Sequence, residues 1–129
     1  MRIPALATAA LLIASAPALA DFSISFTWGD IPSCTTGRPG KVNNPRFVVE
    51  DLPEGTTRIV FRMKDLDVPG YNHGGGKVAM DADGTIEPGA FRYKSPCPPN
   101  GTHTYEWTAK AQNGTKVLAT TTATRPYPE

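Results

Sequence analysis

The feature that most constrains this chain is an alternation of period two that returns in segment after segment, in a sequence almost without helical periodicity. In 22–28, FSISFTW, the large apolar residues Phe22, Ile24, Phe26 and Trp28 alternate with small polar ones, the pattern of a half-buried strand. In 57–67, TRIVFRMKDLD, Ile59, Phe61 and Met63 share one face, while Arg58, Arg62 and Lys64 lie on the other with Val60. In 103–112, His103, Tyr105, Trp107 and Ala109 fall on one side, and 116–124, KVLATTTAT, reads as a β-branched partner strand. The connections carry turn chemistry. Asn113-Gly114 predicts a type I′ hairpin between the last two strands, and Asp83-Gly84 a similar hairpin after 77–80. Pro53-Glu54-Gly55 predicts a turn before the strand at 57. The expected class is all-β, an antiparallel two-sheet sandwich with Greek-key topology as the default. The tail RPYPE is expected to fray.

Residues 1–20 stand apart from this pattern. They have one early arginine, an Ala/Leu-rich stretch and the small-x-small end Ala18-Leu19-Ala20, the layout of a secretory signal peptide cut before Asp21. The apolar run is short and broken by Pro4 and Pro17, which argues against a membrane span. A single domain over 21–129 is expected, periplasmic or secreted, with no transmembrane segment. Without Arg2 that region has 12 Lys+Arg against 12 Asp+Glu. A neutral chain without basic clusters is a poor partner for nucleic acid or anionic membranes. Any anion must be held by a local site.

Cys34 and Cys97 are the chain's two cysteines. An even pair in an oxidising compartment is expected to form a disulfide. It would close a loop of about sixty residues, contributing roughly 4 kcal/mol by the chain-entropy estimate. The alternative, a reactive thiol, has no adjacent base and no CxxC partner. The disulfide would also pin the irregular stretch 29–46, which is rich in Pro, Gly and Asn.

Three constellations could carry chemistry. Asp65 and Asp67 extend the file of Ile59, Phe61 and Met63. Carboxylates there must either brace the following Pro69-Gly70 turn or line a site. In 71–78, YNHGGGKV, three glycines beside His73 could let the backbone approach a ligand or form an anion-binding nest, or could simply be a flexible loop. In 95–105, SPCPPNGTHTY, prolines stiffen the approach to a strand that begins at His103 and Tyr105. A lone strand histidine is more often structural, but two histidines, two acids and a glycine-rich loop point together toward a site. No pair has the close spacing of common zinc motifs, so no metal is assigned. No G-x-S-x-G elbow supports a nucleophilic triad. Asn100-Gly101-Thr102 and Asn113-Gly114-Thr115 match the N-glycosylation sequon.

These pieces stand in the order found in the phosphatidylethanolamine-binding protein family, also called Raf kinase inhibitor-like, and most resemble its bacterial YbhB/YbcL-like branch. IPSCTTG (31–37) looks like that family's I-P-x-x-x-T-x-G segment. NNPRFVVEDLPEGTTRIVFRMKDLDVP (43–69) resembles its strand, P-x-G-T turn and D-x-D-x-P signature. YKSPCPPNGTHTYEWTAKA (93–111) is similar to its P-P-x-G-x-H-x-Y block. The resemblance implies a β-sandwich with an anion pocket built from Asp65, Asp67, Pro69, His73, Pro98, Pro99, His103 and Tyr105. It implies ligands such as phosphate, acetate, cacodylate or a phosphoethanolamine-like headgroup, with no cofactor. The chain is shorter than typical members and shows no helix after 112, so a more open site is expected. YNHGGGKV replaces the family's aromatic W-x-H-W strand, and Lys94-Ser95 its glycine before the prolines. The expected function is an exported, non-catalytic binder of a small anion or phosphorylated headgroup. The alternative is a protein-interaction module that inhibits a kinase or protease, and a hydrolase comes third.

Overall fold

The alternating segments all become strands in the computed structural model, which describes Pro4 and residues 21–129. The signal-peptide reading of 1–20 otherwise lies outside the described residues. One sheet has the order β1 (Ser23–Thr27), β3 (Arg46–Glu50), β6 (Gly84–Ile86). A larger sheet has the order β5 (Gly75–Ala79), β4 (Arg58–Asp65), β8 (His103–Asn113), β9 (Lys116–Tyr127). Beside these two sheets, β2 (Lys41–Asn43) and β7 (Arg92–Lys94) form a separate ribbon. Every pairing is antiparallel, and among the described residues there is no helix.

The two larger sheets meet through the apolar files seen in the sequence. Phe47 of β3 stacks on Phe61 of β4 at 4.4 Å between ring centroids and stands edge-on to Trp107 of β8 at 5.2 Å. Trp28, just past β1, stands edge-on to Tyr105 and Tyr127 at 5.6 Å each. Phe22, Ile24, Phe26 and Trp28 are all buried, as are Ile59, Phe61 and Met63. Each fully buried ring contributes roughly 2–3 kcal/mol. The β4 file does not stop at its last apolar residue: Asp65 follows it inward and is buried too.

Several local expectations are corrected. Asp83-Gly84 is not a hairpin, because β5 pairs with β4 and β6 with β3, in different sheets. The Asp83 carboxylate instead accepts from the backbone N–H groups of Asp51 and Leu52, both at 2.8 Å. That holds a corner at which Asp51 has the left-handed φ of 55°. Asn113 pairs with Lys116, so Gly114 and Thr115 form the turn, and only Gly114 (φ 57°) is left-handed. A type I′ turn needs both central residues left-handed, whereas glycine at the first alone is the type II′ preference. The C-terminal residues through Tyr127 are not frayed: they complete β9, and Tyr127 is buried.

The triple glycine serves packing rather than an anion nest. A Cβ on Gly75 would lie 1.8 Å from the Phe61 carbonyl oxygen, and one on Gly76 would lie 2.4 Å from the Phe91 ring. Glycine lets β5 lie flat against β4 under an aromatic cover.

Candidate functional site

The site grows from the end of β4. Asp65 pairs in register with Tyr105 and is only 4% exposed, so its carboxylate must find partners. Its Oδ1 accepts from the backbone N–H groups of Asp67 at 2.9 Å and Val68 at 3.2 Å. Its Oδ2 lies 2.7 Å from Nδ1 of His103. Turn bracing and site lining are therefore one arrangement: one oxygen folds the 65–68 turn, the other fixes an imidazole. A carboxylate accepts, so Nδ1 of His103 carries the hydrogen. Nε2 of His103 is left for the adjoining space.

His73 approaches the same space from the β4–β5 connection. It is 2% exposed. Its Nδ1 donates to the Lys94 carbonyl at 2.8 Å, and the Lys94 N–H donates back to the His73 carbonyl at 2.8 Å. Burial pushes the imidazole below its usual pKa, against the opposing pull of the Lys94 carbonyl and the Asp65 charge. The ring is edge-on to Tyr71 at 4.6 Å and to Tyr105 at 5.6 Å. Burial first, and the Asp65 charge second, push the Tyr105 phenol above its usual pKa, so its hydroxyl stays protonated.

The far wall is the stiff loop. Cys34 and Cys97 form a disulfide with Cα atoms 4.6 Å apart. The Cys34 N–H donates to the Tyr127 hydroxyl at 3.1 Å, tying this loop to the last strand. Ser95 and Gly40 join it again: Ser95 N–H donates to the Gly40 carbonyl at 2.8 Å, and Gly40 N–H to the Ser95 hydroxyl at 3.2 Å. Gly37 has φ 78°, and a Cβ there would come within 3.2 Å of Pro99. Only glycine suits both the backbone and the contact.

Together these enclose a cavity of about 200 Å³. Asp65, His73, Pro98, His103 and Tyr105 line it, all singled out by the sequence. Asp67 does not: it is exposed, and its Oδ2 accepts from the Thr104 N–H at 2.9 Å. Its carboxylate lies close enough to Asp65 and His103 for their ligand atoms to fall within 4.8 Å. The Asp65 oxygens, however, are already engaged by two N–H groups and an imidazole. Sequence reasoning missed the lip formed by Val68 and Tyr71 and the contribution of Gly37 and Pro39. Apolar residues beside Pro69-Gly70 were the available signal. The Lys94 ammonium lies 5.5 Å from the centre of the Tyr71 ring, which brings positive charge to this lip.

No protein-family model matches the chain, and no curated protein matches it. Among solved structures, it is similar to a Chlamydia trachomatis protein described as a phosphatidylethanolamine-binding protein homolog. That likeness has a TM-score of 0.48 and 17% identity, covering 75% of this chain and 95% of that chain. The solved protein carries the name of the family that the sequence motifs resemble.

Proposed function

We propose that this chain is an exported, non-catalytic protein that binds a small anion or phosphorylated headgroup in the His73–His103 cavity. The observation that carries this reading is a pair of imidazoles held by protein acceptors through Nδ1, beside one small cavity. Each keeps Nε2 for a ligand, an acceptor in the neutral ring and a donor in the imidazolium, and the Tyr105 hydroxyl supplies a donor. A volume of about 200 Å³ suits a phosphate or a headgroup rather than a drug-sized molecule. Cys97 on the wall is held in the disulfide and offers no thiol. The disulfide fits an extracytoplasmic setting. No described helix is long and apolar enough to cross a membrane.

NMR titration tests the reading. Phosphate or phosphoethanolamine is expected to shift the His103 and Tyr105 resonances, and His103→Ala to abolish the shift. No shift up to millimolar ligand overturns it.

The second reading, a protein-interaction module, is favoured by one observation. Leu66, Val68 and Tyr71 are 43%, 46% and 36% exposed in one short segment, and Val68 and Tyr71 line the cavity. A partner captured by both wild type and His103→Ala, but lost from a Val68→Ser/Tyr71→Ser variant, would support it over the anion reading.

A further inference from the structure

His73 and His103 both donate through Nδ1, but His73 donates to a neutral carbonyl and His103 to the Asp65 carboxylate, which alone pairs an imidazolium with a direct counter-charge. The Lys94 carbonyl can only accept, so Nδ1 of His73 must be the donor in their 2.8 Å contact. In the neutral ring this leaves Nε2 as a lone pair, able to accept from a ligand. We infer that His73 is the specificity-determining residue of the cavity, accepting a hydrogen bond from a ligand that carries its own proton. The ligand class is then hydrogenphosphate or a phosphate ester in its protonated form, and not sulfate. The inference rests on the anion-binding reading above.

The geometry makes the neutral ring the favoured one. It is buried among Tyr71, Tyr105 and the 94–95 backbone, where a charge on the imidazole is costly. The charged and titratable groups around it act in both directions. Asp65 favours the cation and Lys94 opposes it, and Tyr71, Tyr105 and His103 also face this space. Burial prevails, and the pKa lies below its usual value.

Two tetrahedral oxyanions of similar size separate cleanly on this point. Inorganic phosphate keeps at least one P–OH near neutral pH, whereas sulfate has none. Phosphate can donate to Nε2 of His73 while its other oxygens accept from the Tyr105 hydroxyl and from Nε2–H of His103 when that ring carries a second proton against the Asp65 carboxylate. Sulfate would set an oxygen lone pair against a nitrogen lone pair, unless His73 were first protonated. An imidazole of ordinary pKa is cationic only about one time in thirty at pH 8, and His73 less often.

Calorimetric titration of the wild-type protein with sodium phosphate and sodium sulfate at about pH 8 is the test. Phosphate is expected to bind at least about thirtyfold more tightly. Equal affinities overturn this inference and leave the anion reading standing. Binding of neither anion overturns both. A ¹⁵N–¹H spectrum of the phosphate complex then assigns the effect to His73 without a variant. The expected ring has a hydrogen on Nδ1 and none on Nε2, and a ring hydrogen on Nε2 overturns the assignment. In His73→Leu the preference should collapse toward unity.

Discussion

Asn44 and Asp65 are both buried polar side chains, and both hold loops in place, yet they leave the protein with different capabilities. The Asn44 Oδ1 accepts from the backbone N–H groups of Gly89, Ala90 and Phe91 at 3.0, 2.8 and 3.0 Å. Its Nδ2 donates to the carbonyls of Pro45 at 2.7 Å and Glu87 at 3.2 Å. Every partner is backbone, and the side chain's hydrogen-bonding capacity is used within the fold. Asp65 also folds its own turn, but its second oxygen takes an imidazole whose far nitrogen remains free. The first network is closed and can only stabilise. The second is open by one atom at His103, and His73 across the cavity is open by one more. Buried polarity marks a site where the network ends on an uncommitted group, not where it is merely dense.

The largest expected effect is on the open side. Replacing Cys34 and Cys97 by serine removes a link across 63 residues of sequence, for which the chain-entropy estimate is about 4 kcal/mol. Urea denaturation should register that loss, and phosphate binding should weaken because Cys97 and the 37–39 segment form the cavity wall. Hydrogen-exchange protection at Gly89–Phe91 should persist under native conditions. If that protection falls together with binding, the two networks are not independent.

Asn44→Ala breaks the closed network. Three N–H groups lose their common acceptor, at a cost of about 3 kcal/mol given that Gly89 and Ala90 can turn to water. Ligand affinity of the folded fraction should be unchanged. A tenfold loss of affinity would show that the hub also shapes the cavity.

Asp65→Asn acts on the open network with nearly unchanged shape. An amide oxygen can still brace the Asp67 and Val68 N–H groups, but the amide nitrogen then faces Nδ1–H of His103. The ring must turn or change tautomer, costing about 2 kcal/mol of stability. Anion affinity should fall by about tenfold or more, because Nε2 is no longer presented as before. Unaltered binding with an altered His103 tautomer would separate orientation from recognition.

The difference between the two networks also explains what could be read in the sequence. Asp65, His103 and Tyr105 sit on strands, where period two tells which face a residue takes, so their convergence followed from the alternation of β4 and β8. Asn44 had no such signal. Apart from the adjacent Pro45 carbonyl, its partners lie more than forty residues away and are backbone groups, which no local pattern records. Asp83 looked like half of a hairpin because Asp-Gly suits a tight turn and a corner cap equally. The glycines at 74–76 looked like a nest because close approach to a ligand and close approach to Phe61 place the same demand on a side chain. Asp67 followed the period on paper, but the strand ends at Asp65, and past that point alternation no longer assigns a face.

The smallest effect comes from His73, and it sharpens the comparison by titrating only the open network. Its folded pKa lies below the usual histidine value because burial disfavours the cation. The unfolded chain therefore takes up a proton first as pH falls below about 6.5. In that window the unfolded state binds more protons than the folded state, so stability rises with pH and declines on acidification. One such proton contributes at most about 1.4 kcal/mol per pH unit. The test is a pair of urea series between about pH 8 and pH 5 on wild type and His73→Gln, whose amide can still donate to the Lys94 carbonyl. Other groups titrate in both proteins, so the difference between the two series isolates this ring. Wild type should lose stability more steeply below pH 6.5, with the curves parallel above it. Parallel curves throughout would mean that the folded ring accepts a proton as readily as the unfolded one. The cavity would then hold a cation where the hydrogen-bond geometry calls for a lone pair.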